Sequence, residues 1–262
     1  MPKALDGGTT HWRIFFGDDL QETLRINAGD WAAFDSVAAS GPTLIGGMVT
    51  SQGRYQTGYR ATIADVACPV NHWSRFDEQV FALPGVVDHA NQDMMRGEDA
   101  ELAGLDLTDG WVLSPGTHNK WILLENGKIC VIRSFVTGDI REQLMCSRTL
   151  GALIARDSCS GSYTSGFFEQ LSSPQPLTQW LFQLRYRWQH LHWQSDQLSG
   201  WLNGALLADE WRVMRQYRIT DLTVIGEQDW TSSLDVLIEE GCAIHRVVQD
   251  ARAGYRTLLE QL

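Results

Sequence analysis

Asp6-Gly7-Gly8-Thr9-Thr10, running into His11-Trp12-Arg13-Ile14-Phe15-Phe16, has a counterpart half a chain later in Pro115-Gly116-Thr117-His118, which leads to Trp121-Ile122-Leu123-Leu124. An offset of 108 positions brings Gly8 onto Gly116, Thr9 onto Thr117 and residues 14–16 onto 122–124, so the chain reads as two structural halves on one plan. Each copy then turns back, through Gly17-Asp18-Asp19 in the first and Glu125-Asn126-Gly127 in the second, into strand-like residues 22–26 and 128–132. Asn-Gly is the stronger of these hairpin signals. A turn of Gly and Thr offers backbone N–H groups and a hydroxyl, which suit a phosphate. Either turn alone is most simply a hairpin connection. Two in register, the first preceded by an acid, favour a nucleotide clamp.

At 262 residues the chain holds one large domain or two ordinary ones, with ample core. Its 44% hydrophobic and 20% charged residues are the composition of a folded protein. A net charge of −11 argues against nucleic acid and anionic membrane as partners, so an anionic ligand must be met by local cations. Cys68, Cys130, Cys146, Cys159 and Cys242 are odd in number and widely spaced, which indicates neither a disulfide framework nor a zinc site and fits a reducing cytoplasm. The first six residues, Met1-Pro2-Lys3-Ala4-Leu5-Asp6, contain no apolar signal core. No apolar run approaches the ~20 residues of a membrane helix. The expectation is a soluble, cytoplasmic protein.

Strand patterns are expected at 3–5, 11–16, 22–26, 44–49 and 80–83, with a short helix at 31–38. Apolar positions at helical spacing predict a helix over 94–105, which places Asp93 at its N-cap. After the second hairpin, helices are expected at 139–146, 163–171, 177–190 and 196–214. A strand at 222–225, a helix at 231–239, a strand at 243–248 and a last helix from 250 make a βαβα unit. The polar turn at 107–110 is the expected domain join.

An Asp-x-Gly-Gly/Ser/Thr-Thr turn near the start, duplicated beyond the middle, resembles the two phosphate hairpins of the actin, hexokinase and sugar-kinase superfamily. Further blocks narrow the likeness. Leu5-Asp6-Gly7-Gly8-Thr9-Thr10-His11-Trp12-Arg13, Gly47-Met48-Val49-Thr50-Ser51, Met95-Arg96-Gly97-Glu98-Asp99 and Pro115-Gly116-Thr117-His118-Asn119-Lys120-Trp121 occur in the order found in 2-dehydro-3-deoxygalactonokinases. Val136-Thr137-Gly138-Asp139 and Gly204-Ala205-Leu206-Leu207-Ala208-Asp209-Glu210 resemble the same family. The resemblance implies an α/β fold of two actin-like (ribonuclease H-like) lobes with an interlobe nucleotide cleft. The lobes are expected at 1–108 and 109–262, the last helix returning to the first. It also implies ATP and Mg²⁺ as cofactors, and phosphorylation of the C6 hydroxyl of 2-dehydro-3-deoxy-D-galactonate. The chain departs from the family in three places. Gly7 stands where Trp is usual, the stretch between Ile26 and Leu44 is shorter by a helix's length, and Gly226-Glu227-Gln228-Asp229 replaces a smaller, less acidic adenosine loop. Two alternatives stay open: a weakened relative that senses a sugar acid or nucleotide, and a kinase for another sugar.

Phosphoryl transfer needs a metal, phosphate cradles and a base for the acceptor hydroxyl. Within the resemblance, Asp6 would orient water on Mg²⁺, an ion that keeps several waters and needs only one or two carboxylates; otherwise it caps a turn. Gly8, Thr9 and Thr10 would face the terminal phosphates, Gly116 and Thr117 the inner ones, with Thr137 and Gly138 lining the second side and Gly226 opening the adenosine loop. Arg13 serves either the phosphates or a cross-strand ion pair. Asp93 is the candidate general base, because in the sugar kinases this fold resembles an Asp starts the helix that precedes the second hairpin; its plainer reading is an ordinary N-cap. The substrate carboxylate calls for a planar cation, for which Arg96 is first choice and Lys120 second. Glu98 either hydrogen-bonds sugar hydroxyls or is simply a first-turn acid. The partner expected is a small-molecule sugar acid, with no nucleic acid and no membrane, a homodimer being left open.

Overall fold

The computed structural model describes residues 3–7, 11–16, 21–38, 41–47, 61–62, 73–76, 79–155, 160–226, 234–247 and 251–261. In chain order the elements are β1 (Lys3–Gly7), β2 (His11–Phe16), β3 (Gln21–Asn27), α1 (Trp31–Ala38), β4 (Thr43–Gly46), β5 (Ala61–Thr62), β6 (Ser74–Arg75), β7 (Val80–Ala82), β8 (Val86–Asp88), β9 (Asp93–Met95) and α2 (Glu98–Ala103). There follow β10 (Gly110–Ser114), β11 (Asn119–Glu125), β12 (Lys128–Phe135), α3 (Thr137–Cys146), α4 (Ser160–Ser172), α5 (Leu177–Leu191), α6 (Ser195–Met214), β13 (Asp221–Ile225), α7 (Val236–Glu239), β14 (Ala243–Val247) and α8 (Ala251–Leu259). The chain divides into two compact units. One comprises Met1–Ser114, Lys120–Ser134 and Val247–Leu262; the other comprises Pro115–Asn119 and Phe135–Arg246. Strands and helices mix in both, the α/β class expected.

In the first unit a six-stranded sheet has the order β3-β2-β1-β4-β7-β6. β1 pairs antiparallel with β2 and parallel with β4, which pairs parallel with β7. Alternation along each strand explains why both faces are covered. Leu5, Trp12, Ile14 and Ile45 point to one side and pack with Phe34, Val37 and Ala38 of α1. Their neighbours Ala4, Phe15 and Leu44 point to the other, against Ala100 of α2 and Tyr255 and Leu258 of α8. The β10–β11 pair is antiparallel and β12 lies beside β11. This meander is the structural counterpart of β1–β2–β3, as the repeated turn predicts.

Residues 93–95 are the main departure from the expected elements. They form a strand rather than the start of a helix, pairing antiparallel with β8 through Asp88↔Asp93, Val87↔Met94 and Val86↔Met95. Helical spacing in 94–105 is overridden there by a partner strand. α2 begins only at Glu98, after Gly97 at a φ of 106° that excludes a continuous helix through it.

The second unit is mostly helical. α6 is buried around nearly its whole circumference, and Trp201, Leu202 and Ala205 on it meet Trp180 and Leu184 of α5. No helix among the described residues is long and apolar enough to cross a membrane.

Candidate active site

Asp6 lies at the end of β1, directly opposite Arg13 on β2. The Arg13 Nε donates to Asp6 Oδ2 at 3.0 Å and its Nη2 donates to the same oxygen. The cross-strand ion pair is therefore the reading of Arg13 that the structure bears out. The Tyr255 hydroxyl, reaching from α8, lies 3.3 Å from the Leu5 carbonyl and 3.5 Å from Asp6 Oδ1. Burial, reinforced by Asp6 and Asp99, raises the Tyr255 pKa well above its ordinary value, so the group stays a neutral phenol.

The turn into α2 is built by its own acids. Glu98 Oε2 accepts the Arg96 N–H at 3.0 Å, and Asp99 Oδ1 accepts the Gly97 N–H at 2.7 Å. These bonds satisfy the N–H groups of the two residues before the helix, while the Ala100 N–H is met by the Gly97 carbonyl, Gly97 having no side chain to cap with. Burial pushes Glu98 up to about 7, a rise that the Lys120 charge opposes. One helical turn on, burial with Glu98 and Asp6 nearby pushes Glu101 up to about 8, although the Ser114 hydroxyl donates to its Oε2 at 2.8 Å. Burial also raises Asp99, against bonds from backbone N–H groups and the charge of Arg96. Acids and cations thus alternate through this corner of the first unit, with two glutamates titrating near neutrality.

Asp93 sits in a different network. Its Oδ2 accepts the Ser134 N–H at 2.6 Å and its Oδ1 accepts the Ser134 hydroxyl at 2.5 Å. Asp88 accepts the Ile132 N–H at 3.1 Å, so the β8–β9 pair ties its two acids to alternate amides of β12. Lys120 completes the network, donating to Ser134 Oγ at 2.6 Å and to the Met94 carbonyl at 2.7 Å. Its stem is 7% exposed, so it acts inside the protein as a strut between β11, β12 and β9.

In the second unit the Pro115–Asn119 turn meets the start of α3. The Gly116 N–H is spent on Asn119 Oδ1 at 3.1 Å, and the Thr117 carbonyl accepts the Asp139 N–H at 2.9 Å. Thr137 gives its hydroxyl to Glu210, and Gly138 lies so close to the Gly116 and Thr117 backbone that a Cβ there would overlap the Gly116 oxygen. Thr117 and His118 are exposed, and no side chain caps α3 at Val136. Gly226 ends β13 at a φ of 78°. Gly8, Thr9, Thr10 and Glu227 lie outside the described residues.

The first unit thus brings together Asp6, Arg96 and Glu98, with Asp93 and Lys120 in the adjoining network, while Gly116, Thr117, Thr137 and Gly138 gather in the second. Mg²⁺ fits Asp6, because Arg13 occupies Oδ2 and a single carboxylate suffices for an ion that keeps its waters. Among the described residues no group of three or more His, Cys, Asp or Glu is placed to enclose a metal. A phosphate fits the exposed Thr117–His118 turn and the start of α3, which has no side-chain cap although the Thr117 carbonyl accepts the Asp139 N–H.

A profile of the 2-keto-3-deoxy-galactonokinase family matches residues 8–259. The chain belongs to this family. Its members are phosphotransferases with an alcohol group as acceptor. The 2-dehydro-3-deoxygalactonokinase of Escherichia coli (strain K12) is 25% identical to this family member over 286 aligned positions, covering 97% of this chain and 96% of that one. A Rhizobium meliloti (strain 1021) protein provisionally given the same name is 29% identical over 241 positions, covering 78% of each. A crystal structure from Sinorhizobium meliloti, provisionally assigned to that activity, superposes with a TM-score of 0.82 at 21% identity and covers 100% of this chain and 95% of its own. That likeness carries the fold. Sequence reasoning missed Glu101, Ser114, Ser134, Tyr255, Asn119 and Glu210. Of these, Asn119 and Glu210 stand in blocks that resemble the family, and Glu101 stands three residues after Glu98 and so on the same face of a helix.

Proposed function

We propose that the chain transfers a phosphoryl group from ATP to the C6 hydroxyl of 2-dehydro-3-deoxy-D-galactonate. The observation that carries this reading is Glu98, a carboxylate titrating at about 7 at the start of α2, in a chain whose family is one of sugar-acid kinases. A general base is most effective with a pKa near the working pH. The sugar kinases that this fold resembles start the helix before the second hairpin with an Asp; here that helix starts with a glutamate, Glu98. The base role foreseen for Asp93 passes to Glu98, since both Asp93 oxygens already accept from Ser134.

ATP supplies the phosphoryl group, and Mg²⁺ neutralises charge on its phosphates. Asp6 would hold that ion through its water, the carboxylate being fixed by Arg13 and Tyr255. Arg96 pairs with the sugar-acid carboxylate through its planar fork. Glu98 takes the proton of the acceptor hydroxyl. Thr117 and the first turn of α3 hold inner phosphates, Gly8, Thr9 and Thr10 hold the terminal ones, and Gly226 opens the adenosine loop. Lys120 holds β9 and β12 in place for this site.

An ADP-release assay with Mg·ATP tests the reading against 2-dehydro-3-deoxy-galactonate, its gluconate epimer, glucose and galactonate. Release stimulated by the galactonate-derived acid alone is the expected result. Stimulation by another compound would move the substrate, and none with any acceptor would overturn the kinase reading.

A further inference from the structure

We infer that Glu210 and Asn119 form a buried positioning pair that locks the Pro115–Asn119 turn to the first turn of α3 for holding nucleotide phosphate; the inference rests on the kinase reading above. Glu210 projects from α6 and is 1% exposed, and Asn119 is fully buried. Asn119 uses both ends of its amide. Its Oδ1 accepts the Gly116 N–H at 3.1 Å, and its Nδ2 donates to Glu210 Oε1 at 2.6 Å. That same carboxylate oxygen accepts the Thr137 hydroxyl. One acceptor on the core helix therefore commands two segments, the turn and the start of α3.

Burying a carboxylate is unfavourable unless donors satisfy it, and charge-assisted bonds are the stronger kind. The geometry accordingly holds the turn from below. The Gly116 amide faces inward, Thr117 and His118 stay exposed, and the Asp139 N–H to Thr117 carbonyl bond of 2.9 Å closes the joint from the other side. Phosphate binding by backbone amides depends on such rigidity, because a loose turn must be ordered at the moment of binding. Glu210 touches no nucleotide in this scheme; it acts through Asn119 and Thr137.

The test compares Mg·ADP binding by calorimetry, and the KM values for ATP and sugar acid, across four variants of the full chain. Glu210→Leu removes the shared acceptor and is expected to weaken Mg·ADP about tenfold or more, with a parallel rise in the KM for ATP. The KM for the sugar acid should stay within about twofold. Glu210→Gln keeps an acceptor oxygen and should lose no more than about threefold. Asn119→Asp sets one carboxylate against another and should bind as weakly as Glu210→Leu. Adding Glu210→Gln to Asn119→Asp lets the new amide donate to Asp, so the double variant should recover affinity, a coupling that independent structural damage does not produce. Should Glu210→Leu fail to fold, the comparison of Asn119→Asp with the double variant decides the matter. Undiminished ADP binding by Glu210→Leu, or a double variant no tighter than Asn119→Asp, overturns the inference. A wild-type chain that does not bind Mg·ADP at all overturns the kinase reading and this inference with it.

Discussion

Glu101 makes the stability of the nucleotide-free protein depend on pH in a direction opposite to that of an ordinary surface carboxylate. In the folded chain burial, with Glu98 and Asp6 nearby, holds it protonated up to about 8, while an ordinary glutamate loses its proton near 4.5. Between those values the folded state binds the proton that the unfolded state has released, so stability falls as pH rises, by about 1.4 kcal/mol per pH unit. Below the ordinary value there is no loss, and above about 8 it is complete. From pH 6 to 8 the expected cost from Glu101 is about 2 kcal/mol, since the slope flattens near 8, or roughly 4–8 °C in Tm for a chain of this size. Glu98, which titrates at about 7, adds most of its fall between pH 6 and 7 and a smaller part above 7, so Glu101 dominates the step from 7 to 8. Glu101→Gln keeps an oxygen to accept the Ser114 hydroxyl and carries no charge at any pH. Thermal melts followed by circular dichroism should show the wild type dropping by about 3–5 °C between pH 7 and 8, and the glutamine variant by only about 1 °C, the part Glu98 still contributes. A wild type whose Tm holds or rises there, or a variant that falls as far as the wild type, would show that Glu101 is not a protonated acid in a dry pocket.

Glu98→Gln is expected to lower kcat by about 10²- to 10⁴-fold with Mg·ADP binding intact. Asp93→Asn should instead cost about 1–3 kcal/mol of stability through a lost bond to Ser134 and leave kcat within about tenfold; the reverse ranking in steady-state kinetics returns the base to Asp93. Arg96→Ala should raise the KM for the sugar acid by about tenfold or more while leaving that for ATP nearly unchanged, and equal rises would refute a carboxylate contact. Gly138→Ala places a methyl group into the Gly116 and Thr117 backbone, so the turn must shift at a cost of about 1–3 kcal/mol, read as a lower Tm and a raised KM for ATP. Unchanged values for both would mean that the turn and α3 are not in contact in solution.

Much of the fold was legible because its signals are local. The repeated Gly-Thr turn marks two meanders, Asn126-Gly127 marks the hairpin between β11 and β12, and helical spacing marks α1 and α3 to α6 within a few residues. Residues 93–95 were not legible. Met94 and Met95 match a helical pattern, and only the distant Val86–Asp88 strand makes them β. The site divides in the same way. Arg96, Glu98 and the Gly116 turn stand in blocks that resemble a family, whereas Glu210 meets Asn119 across 91 positions and Tyr255 meets Asp6 across 249. Contacts of that span are set by how the helices pack, and no pattern in a window of sequence encodes them.

The raised acids at the start of α2 bind stability and catalysis into one balance. A Glu98 that titrates at about 7 is mostly protonated at pH 6 and mostly ionised at pH 8, so the fraction able to accept a proton grows by close to tenfold across that interval. Over the same interval the unfolded chain gains relative to the folded one, because both glutamates are held as neutral acids by burial. Activity per folded molecule should therefore climb as Tm declines. On the proposed reading nucleotide and sugar acid would bring negative charge to this corner, and their arrival should push both glutamates further toward protonation. The rise of kcat/KM, which reports the free enzyme, should then be centred near 7, and the rise of kcat, which reports the loaded enzyme, at a higher pH. Profiles of kcat/KM and kcat with the same midpoint would mean that the ligands do not approach Glu98, and the base would have to be sought elsewhere in the site.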